Sequence, residues 1–437
     1  MLLEFRTENY KSFVDEMVFS MTAAPKQKGL DYSLASFRLG RRKYKTLSTA
    51  VIYGPNAAGK TNLIGALETF REIVLRGHIR NEEVHSPNVA AYALQFIPNC
   101  NGEARPTVFS IKFYDEGLLF EYYIKLDLGT FGSLNARRKV LEERLLVNDK
   151  VLFVRDRNVD IDQSSYKTEY FNESMEFLRP ILNKVATSSL SESELFLTNG
   201  FKTIVSPNLA NKVLNWFDKK LTVIYRSDSV RSYAHDERDA SYQSKYGLFL
   251  TDALKEFGIT GNRLVYKSTG DKEEEKKMLY SVINNSAIPA ELFESYGTIR
   301  FANEFPFIVR ALLDGGTIVM DEFDASIHPM ALMNIINIFH NDDINVNHAQ
   351  LIFNTHNPIF LNSSLLRRDE IKFVERDETT GNSIQYALSD FKTAEGVRKG
   401  EDYMERYFIN RYGAIKDVDF SPILEKLVKL SKETENG

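Results

Sequence analysis

Apolar residues recur along the chain with two different periods, and the change of period separates predicted strands from predicted helices. Residues 107–113 alternate apolar and polar positions, and residues 118–126 supply a second apolar run after a short turn, which predicts a β-hairpin. Residues 47–53 predict a buried strand, and residues 61–76 then keep helical spacing. A strand, a tight loop and a helix therefore follow one another directly.

These patterns divide the chain into three parts. Residues 1–160 are rich in strands around the strand–loop–helix unit. Residues 161–290 are predicted to be a mostly helical lobe, with the clearest helices at 177–185, 210–221 and 247–257. Residues 291–437 return to α/β alternation, with strands at 317–320, 350–354 and 371–375, a helix at 331–339 and a tail helix at 422–432. We therefore expect an α/β protein whose two outer parts flank an inserted lobe.

Composition narrows the class of protein. The chain has 437 residues, of which 43% are hydrophobic and 26% charged, as in folded soluble proteins. The net charge of −5 excludes a globally basic nucleic-acid binder but leaves room for a local basic patch. Cys100 is the one cysteine, which excludes a disulfide framework and a cysteine-rich metal site. No segment predicts a secretory signal or a membrane span, so we expect a cytoplasmic protein.

The strongest chemical signal is the loop after the first buried strand. Residues 54–61, GPNAAGKT, fit the pattern G-x-x-x-x-G-K-[ST]. Its glycines let backbone N–H groups point at a phosphate chain, and the following helix turns its positive end toward the same anion. Lys60 places a charge on the phosphates, and the Thr61 hydroxyl suits Mg²⁺. The predicted nucleotide-binding residues are Asn56, Ala57, Ala58, Gly59, Lys60, Thr61 and Asn62.

Two later strands end in residues that suit hydrolysis of a bound triphosphate. The strand at 317–320 delivers Asp321 and Glu322 to the carboxyl edge of the sheet, where open α/β sheets bind ligands. We predict that Asp321 holds Mg²⁺ through its water shell and that Glu322 is the general base for water. His356 follows the strand at 350–354, from where we predict that it reaches a γ-phosphate oxygen and holds the attacking water in line; the less favoured alternative is a satisfied turn histidine.

A second anion site is predicted at Ser295 and Gly297, just before a helical pattern. A hydroxyl, a bare backbone and a helix N-terminus can together bind a phosphate. One nucleotide needs only one phosphate loop, so this site suggests use in trans, on the nucleotide of a partner copy. Read by itself, the segment is also compatible with an ordinary helix start.

The order of these motifs resembles that of a known superfamily. The segments are NYKSF, GPNAAGKTN, ESYGTIR, IVMDEFDASIHP and NTH. They are similar to those of ABC-type ATPases of the SMC, RecF and OLD class. More narrowly, the chain resembles the RloA-type ATPases of bacterial restriction and abortive-infection loci. The signature reads SYGT, where transporters have SGGQ.

The resemblance implies an ABC-type ATPase head, with mixed and antiparallel sheets around a central helix, split by the lobe. Its first part (1–160) would carry Walker A and the antiparallel sheet, and its last part (291–437) the signature, Walker B, D-loop and switch histidine. The residues that it assigns are Ser295 and Gly297 to the signature, Asp324 to the D-loop, His356 to the switch position, Lys11 and Ser12 near the phosphates or ribose, and Gln95 as a Q-loop candidate.

The resemblance also implies a function. ATP and Mg²⁺ would be the cofactors, and two copies would close around ATP as a homodimer. The dimer would act as a sensor that regulates a separate effector, an RloB-type protein or another toxic nuclease, in phage defence.

Two other functions stay open. A RecF-like DNA-binding ATPase of repair or recombination would use the basic clusters at 41–45 and 137–139. A metabolic P-loop kinase would need an acceptor site, and the signature and the switch histidine argue against it.

Overall fold

The computed structural model describes most of the chain. The described residues are 1–25, 27, 29–80, 105–129, 138–162, 170, 180–225, 252–256, 263–269, 276–325, 327–391, 401–416 and 418–435. Within these ranges, no helix combines the length and the apolar character that crossing a bilayer requires.

A seven-stranded antiparallel sheet forms one layer. Its strands are β1 (Leu2–Glu8), β2 (Met17–Ser20), β6 (Thr107–Asp115), β7 (Leu118–Asp127), β8 (Lys139–Val147), β9 (Lys150–Arg155) and β10 (Val159–Ile161), in the order β10-β9-β8-β7-β6-β1-β2. A separate hairpin of β3 (Leu34–Leu39) and β4 (Arg42–Leu47) packs Phe37 and Tyr44 against Leu3 and Leu119 of this sheet. The predicted hairpin at 107–126 is confirmed.

A six-stranded sheet forms the second layer and carries the chemistry at its edge. Its strands are β5 (Thr49–Tyr53), β11 (Leu221–Ile224), β15 (Thr317–Met320), β16 (Gln350–Asn354), β17 (Ile371–Arg376) and β18 (Ser383–Ala387), in the order β11-β15-β16-β5-β17-β18. All neighbours pair in parallel except β17 and β18. The parallel strands therefore all end at one edge, which brings the loops after β5, β15 and β16 together.

Helix α1 (Lys60–Arg76) lies between the two sheets. Its Phe70 stacks on Phe109 and Tyr122 of the antiparallel sheet, and the same core includes Ala50 and Ile52 from one face of β5. The alternate residues of β5, Val51 and Tyr53, enter a second core with apolar residues of the helices at Tyr296–Asp314 and Pro329–His340. Because successive side chains of a strand point to opposite faces of the sheet, β5 contributes side chains to both cores.

Several more helices are described outside α1. They are α2 (Leu182–Ser188), α3 (Pro207–Asn215), α4 (Ala290–Phe293), α5 (Tyr296–Asp314), α6 (Pro329–His340), α7 (Tyr403–Phe408) and α8 (Ser421–Glu435). The predicted helices at 61–76, 331–339 and 422–432 correspond to α1, α6 and α8. The α/β class with mixed and antiparallel sheets around a central helix is confirmed.

Residues 161–290 combine helices with strands. Residues 182–220 are largely helical, with π-helical turns at Leu197–Val205 and Trp216–Lys220. However, Leu221, expected to end a helix, begins β11 of the main sheet, because a short apolar run does not distinguish a buried strand from a helix. Strands β12 (Arg263–Thr269), β13 (Lys276–Ile283) and β14 (Ser286–Pro289) form a three-stranded antiparallel sheet. The division of the chain at residues 160 and 290 stays a prediction.

Candidate active site

The side chain of Lys60 forms hydrogen bonds to the backbone of the loop between β5 and α1. The Lys60 ammonium donates to the carbonyl oxygens of Gly54 at 2.7 Å and Pro55 at 3.1 Å. Burial lowers the pKa of Lys60 to about 8, against the opposing effect of Asp321 and Glu322. The loop therefore holds one buried cation, at the position where the sequence predicts a bound phosphate.

Close packing explains the glycine at position 59. Gly59 has φ 116° and lies against the hydroxyls of Ser383 and Ser12. A Cβ added at this position would lie 2.7 Å from the Ser383 hydroxyl oxygen and 3.0 Å from the Ser12 hydroxyl oxygen. The Ser383 hydroxyl donates to the Ala58 carbonyl at 2.6 Å, and the Asn62 amide donates to the Ser12 hydroxyl at 2.8 Å. A side chain at position 59 would displace Ser12 and Ser383 from the loop.

Asp321 and Glu322 follow β15 directly. The Thr61 hydroxyl donates to an Asp321 carboxylate oxygen at 3.2 Å, and the Asn354 amide donates to the same oxygen at 2.5 Å. The Asn354 carbonyl oxygen in turn accepts from the Glu322 N–H. Glu322 has φ 54°, a left-handed conformation that costs a non-glycine residue free energy. Asn354 therefore contacts the carboxylate of Asp321, the predicted Mg²⁺ ligand, and the backbone N–H of Glu322, the predicted general base.

Arg300 links helix α5, which carries the predicted signature residues, to this turn. Its guanidinium donates to the Asp321 and Glu322 carbonyl oxygens at 3.3 Å and 2.6 Å. It also donates to the Glu304 carboxylate at 2.9 Å. Both side chains of this pair are buried, and burial raises the pKa of Glu304 to about 7 although Arg300 acts against it.

A cavity of about 280 Å³ lies over the loop. It is lined by Asn56, Ala57, Ala58, Gly59, Lys60, Thr61, Asn62, Glu322, Asn354, His356 and Arg376. Most of the predicted nucleotide-binding and catalytic residues thus share one cavity. Partial burial, and then the charge of Lys60, lower the pKa of His356, which favours its neutral imidazole form.

The donor set fits a magnesium ion. The Thr61 hydroxyl and the Asp321 carboxylate already lie within hydrogen-bond distance of each other. Hard oxygen donors of this kind, together with phosphate oxygens, are the ligands that Mg²⁺ prefers.

The predicted signature residues do not line this cavity. Ser295 caps α5 by accepting from the Thr298 N–H at 3.1 Å, and Gly297 lies in the first turn. The side chains around them are large, apolar and exposed: Leu292 is 78%, Phe293 53% and Tyr296 56% exposed. Asp324 does not line the cavity, but its charge lies near enough to oppose the lowering of the pKa of both Lys60 and His356.

Two other predicted residues differ in placement. Ser12 contacts Asn62 beside the loop, whereas the Lys11 ammonium donates to the Tyr225 hydroxyl at 3.3 Å and lies over the Tyr10 and Tyr225 rings. Gln95 lies outside the described residues.

Sequence reasoning assigned no role to Asn354, Arg300 or Arg376. Asn354 and Arg376 are the last residues of parallel strands. The expectation that ligands bind at the carboxyl edge of the sheet, which selects Asp321, therefore also indicates these two residues as site candidates. Arg300 acts from a helix through backbone carbonyls, and no sequence pattern indicates such a contact.

Comparison with known proteins gives a family match and a distant structural similarity. Residues 50–362, well over half of the chain, match the family described as "AAA domain, putative AbiEii toxin, Type IV TA system". None of the curated proteins compared with the chain matches it.

Two solved structures are similar over most of the chain. They are an SMC head bound to the C-terminal winged-helix domain of ScpA and the SMC head domain from Thermotoga maritima. Both are 12% identical; the first covers 91% of this chain and 99% of that chain with a TM-score of 0.38, the second 88% and 98% with 0.37.

Proposed function

Because this chain belongs to the AAA-domain family that its residues 50–362 match, and is an ATPase domain of the AAA/ABC type, we propose that it hydrolyses ATP to ADP and phosphate. The single observation that carries the proposal is the cavity that brings Lys60, Glu322 and His356 together over one phosphate loop. A buried cation, a carboxylate and a neutral imidazole are the groups that such a reaction needs.

Each residue has a definite part in the proposed reaction. Lys60 balances the phosphate charge, and Glu322 accepts a proton from water as the water oxygen bonds to the γ-phosphorus. The bond from that phosphorus to the bridging oxygen breaks, and ADP leaves. The neutral His356 donates a hydrogen bond to a γ-phosphate oxygen. Thr61 and Asp321 would hold Mg²⁺, which supplies charge neutralisation.

We also propose that two copies close around ATP. The support is that Ser295 and Gly297 lie on an exposed helix start outside the cavity of their own chain, among the exposed side chains of Leu292, Phe293 and Tyr296. An apolar rim around an anion-binding helix end fits a surface that a second copy covers. In that arrangement, Ser295, Gly297 and Asp324 of one copy act on the nucleotide of the other.

The biological role rests on family likeness. The description of the matching family includes a toxin of a toxin–antitoxin system, and the motif order resembles that of RloA-type ATPases. We propose that ATP binding and hydrolysis switch the dimer between closed and open states, and that the closed state controls a separate nuclease effector in cytoplasmic antiphage defence.

Phosphate release measured at increasing protein concentration tests the proposed activity. ATP turnover per chain should rise with protein concentration before it saturates, because the dimer is the active form. The variant Lys60→Ala is the control and should release no phosphate. Turnover per chain that is independent of concentration would contradict the dimer, and no release by the wild type would contradict the ATPase.

A DNA-binding ATPase is the second candidate, and one surface favours it. Arg38, Lys43 and Lys45 are exposed on the β3–β4 hairpin, and Arg38 lies directly opposite Lys43. Like charges in this position destabilise a hairpin, and no described carboxylate forms an ion pair with them. In the second basic cluster, Arg138 is buried, and burial lowers its pKa to about 10, so this arginine is not exposed to a DNA phosphate.

Binding of duplex DNA as a function of salt tests the second candidate. If this hairpin contacts phosphates, replacing Arg38, Lys43 and Lys45 by Gln should reduce the slope of log K against log salt by up to about three. The control is Arg42→Gln, because Arg42 already pairs with Asp149 at 3.5 Å. Absence of DNA binding by the wild type at low salt would exclude this candidate.

A further inference from the structure

Arg376 stands at the end of β17, beside the phosphate loop. Strand β17 pairs in parallel with β5, so both strands end at the same edge of the sheet. The hairpin of β17 and β18 then forms a wall of the loop. Its Val374 carbonyl abuts Gly54, and its Ser383 hydroxyl donates to Ala58. The guanidinium of Arg376 is therefore held by an element that also shapes the loop.

Backbone carbonyls, not carboxylates, hold the Arg376 side chain. Its Nε donates to the Gly381 carbonyl at 2.8 Å, and one terminal nitrogen approaches the Ala57 carbonyl at 3.5 Å. No described carboxylate forms an ion pair with it. Arginine has five N–H donors, so three of them remain for a ligand, and the positive charge is not neutralised by a described side chain.

The turn that follows keeps Arg376 in this place. The Asp377 carboxylate accepts from the N–H groups of Thr379 and Thr380 at 3.0 Å and 2.6 Å, and from the Thr380 hydroxyl at 2.9 Å. The carbonyl of Gly381, which anchors Arg376, belongs to this hydrogen-bonded turn. A guanidinium in a fixed position loses little conformational entropy when a ligand binds.

We propose that Arg376 donates to non-bridging phosphate oxygens of the bound nucleotide, as a second cation beside Lys60. It lines the same cavity as Lys60, and a triphosphate carries more negative charge than one ammonium balances. Guanidinium groups bind phosphate oxygens through charge-assisted hydrogen bonds. The inference rests on the proposed function, because it assumes that the cavity takes a nucleoside triphosphate.

Titration calorimetry with three ligands tests the assignment. The ligands are the magnesium complexes of the non-hydrolysable analogues of ATP and GTP, and of inorganic tripolyphosphate. The variant Arg376→Gln keeps N–H donors for the carbonyls but loses the charge, whereas Arg376→Lys keeps the charge. The matched control is Lys416→Gln, because Lys416 pairs with Glu378 on the exposed turn of the same hairpin at 2.8 Å.

We expect Arg376→Gln to bind all three ligands about tenfold more weakly than the wild type. The affinity of Arg376→Lys should lie between that of Arg376→Gln and that of the wild type, and the affinity of Lys416→Gln should equal that of the wild type. Wild-type affinity in Arg376→Gln would overturn the inference. A loss for the nucleotides but not for tripolyphosphate would also overturn it, because Arg376 would then contact the base. A wild type that binds none of the three would instead refute the proposed function.

Discussion

Lys60 is buried, and its pKa of about 8 makes phosphate binding sensitive to pH. Only its protonated form attracts the phosphates, so the affinity for the magnesium complex of the ATP analogue should be constant below pH 8. Above pH 8 it should fall by up to about tenfold per pH unit, as the free protein loses this proton. Titration calorimetry between pH 7 and about pH 9.5 measures this dependence.

The control for this pH dependence is Lys60→Arg, because arginine does not titrate in the range. Any binding that the variant retains should be independent of pH. A wild-type affinity that is also independent of pH would contradict the assignment of Lys60 to the phosphates.

Glu322→Gln removes the proposed general base but keeps the size and shape of the side chain. Turnover should fall by about 10²- to 10⁴-fold, while the affinity for the ATP analogue stays close to that of the wild type. Single-turnover phosphate release and equilibrium binding separate the two effects. A Glu322→Gln variant with normal turnover would show that another group takes the proton.

At the scale of single residues, the sequence predicts the roles of residues that belong to a recognisable motif. It places Lys60, Thr61, Asp321 and Glu322 because the loop pattern and the strand ends predict their positions. It does not assign Arg300 a contact, because a guanidinium that bonds backbone carbonyls across two elements depends on how a helix packs on a strand.

The helix that carries the predicted signature also supports the turn that carries Glu322. Arg300→Gln, combined with Glu304→Gln to avoid an unpaired buried charge, should leave nucleotide affinity within about twofold of the wild type. It should lower turnover about ten- to a hundredfold, because the Glu322 carbonyl loses its anchor and the left-handed turn relaxes. Steady-state kinetics and titration calorimetry give the two values.

A matched control exists on the same helix. Arg310 pairs with Asp314 near the end of α5, so Arg310→Gln should change neither turnover nor affinity. If the Arg300 and Glu304 double variant lowered affinity and turnover equally, the contact would support the whole site rather than the catalytic turn.

At the scale of elements, strands whose apolar run is clearly flanked by polar residues were predictable, whereas a strand that directly continues a helical segment was not. β15 and β16 match their predicted ranges, since each is an apolar run that ends in polar residues. β11 (Leu221–Ile224) directly follows the helical segment Trp216–Lys220, and its membership of the main sheet depends on pairing with β15, almost a hundred positions later.

At the scale of the whole molecule, the proposed dimer makes the signature essential to a partner's site. Ser295→Arg should spare nucleotide binding by the single chain but abolish hydrolysis, because the long side chain blocks the face that a second copy covers. The control Ser295→Asn keeps a residue suited to capping α5 and should keep more activity. Equal turnover by wild type and Ser295→Arg would remove this residue from the interface.

The mass of the protein in solution tests the central claim most directly. Sedimentation or light scattering should give 50.1 kDa per particle without nucleotide. With magnesium and a saturating non-hydrolysable ATP analogue it should give twice that mass, and Lys60→Ala should stay monomeric throughout. A wild type that binds the analogue and keeps the mass of one chain would contradict the account.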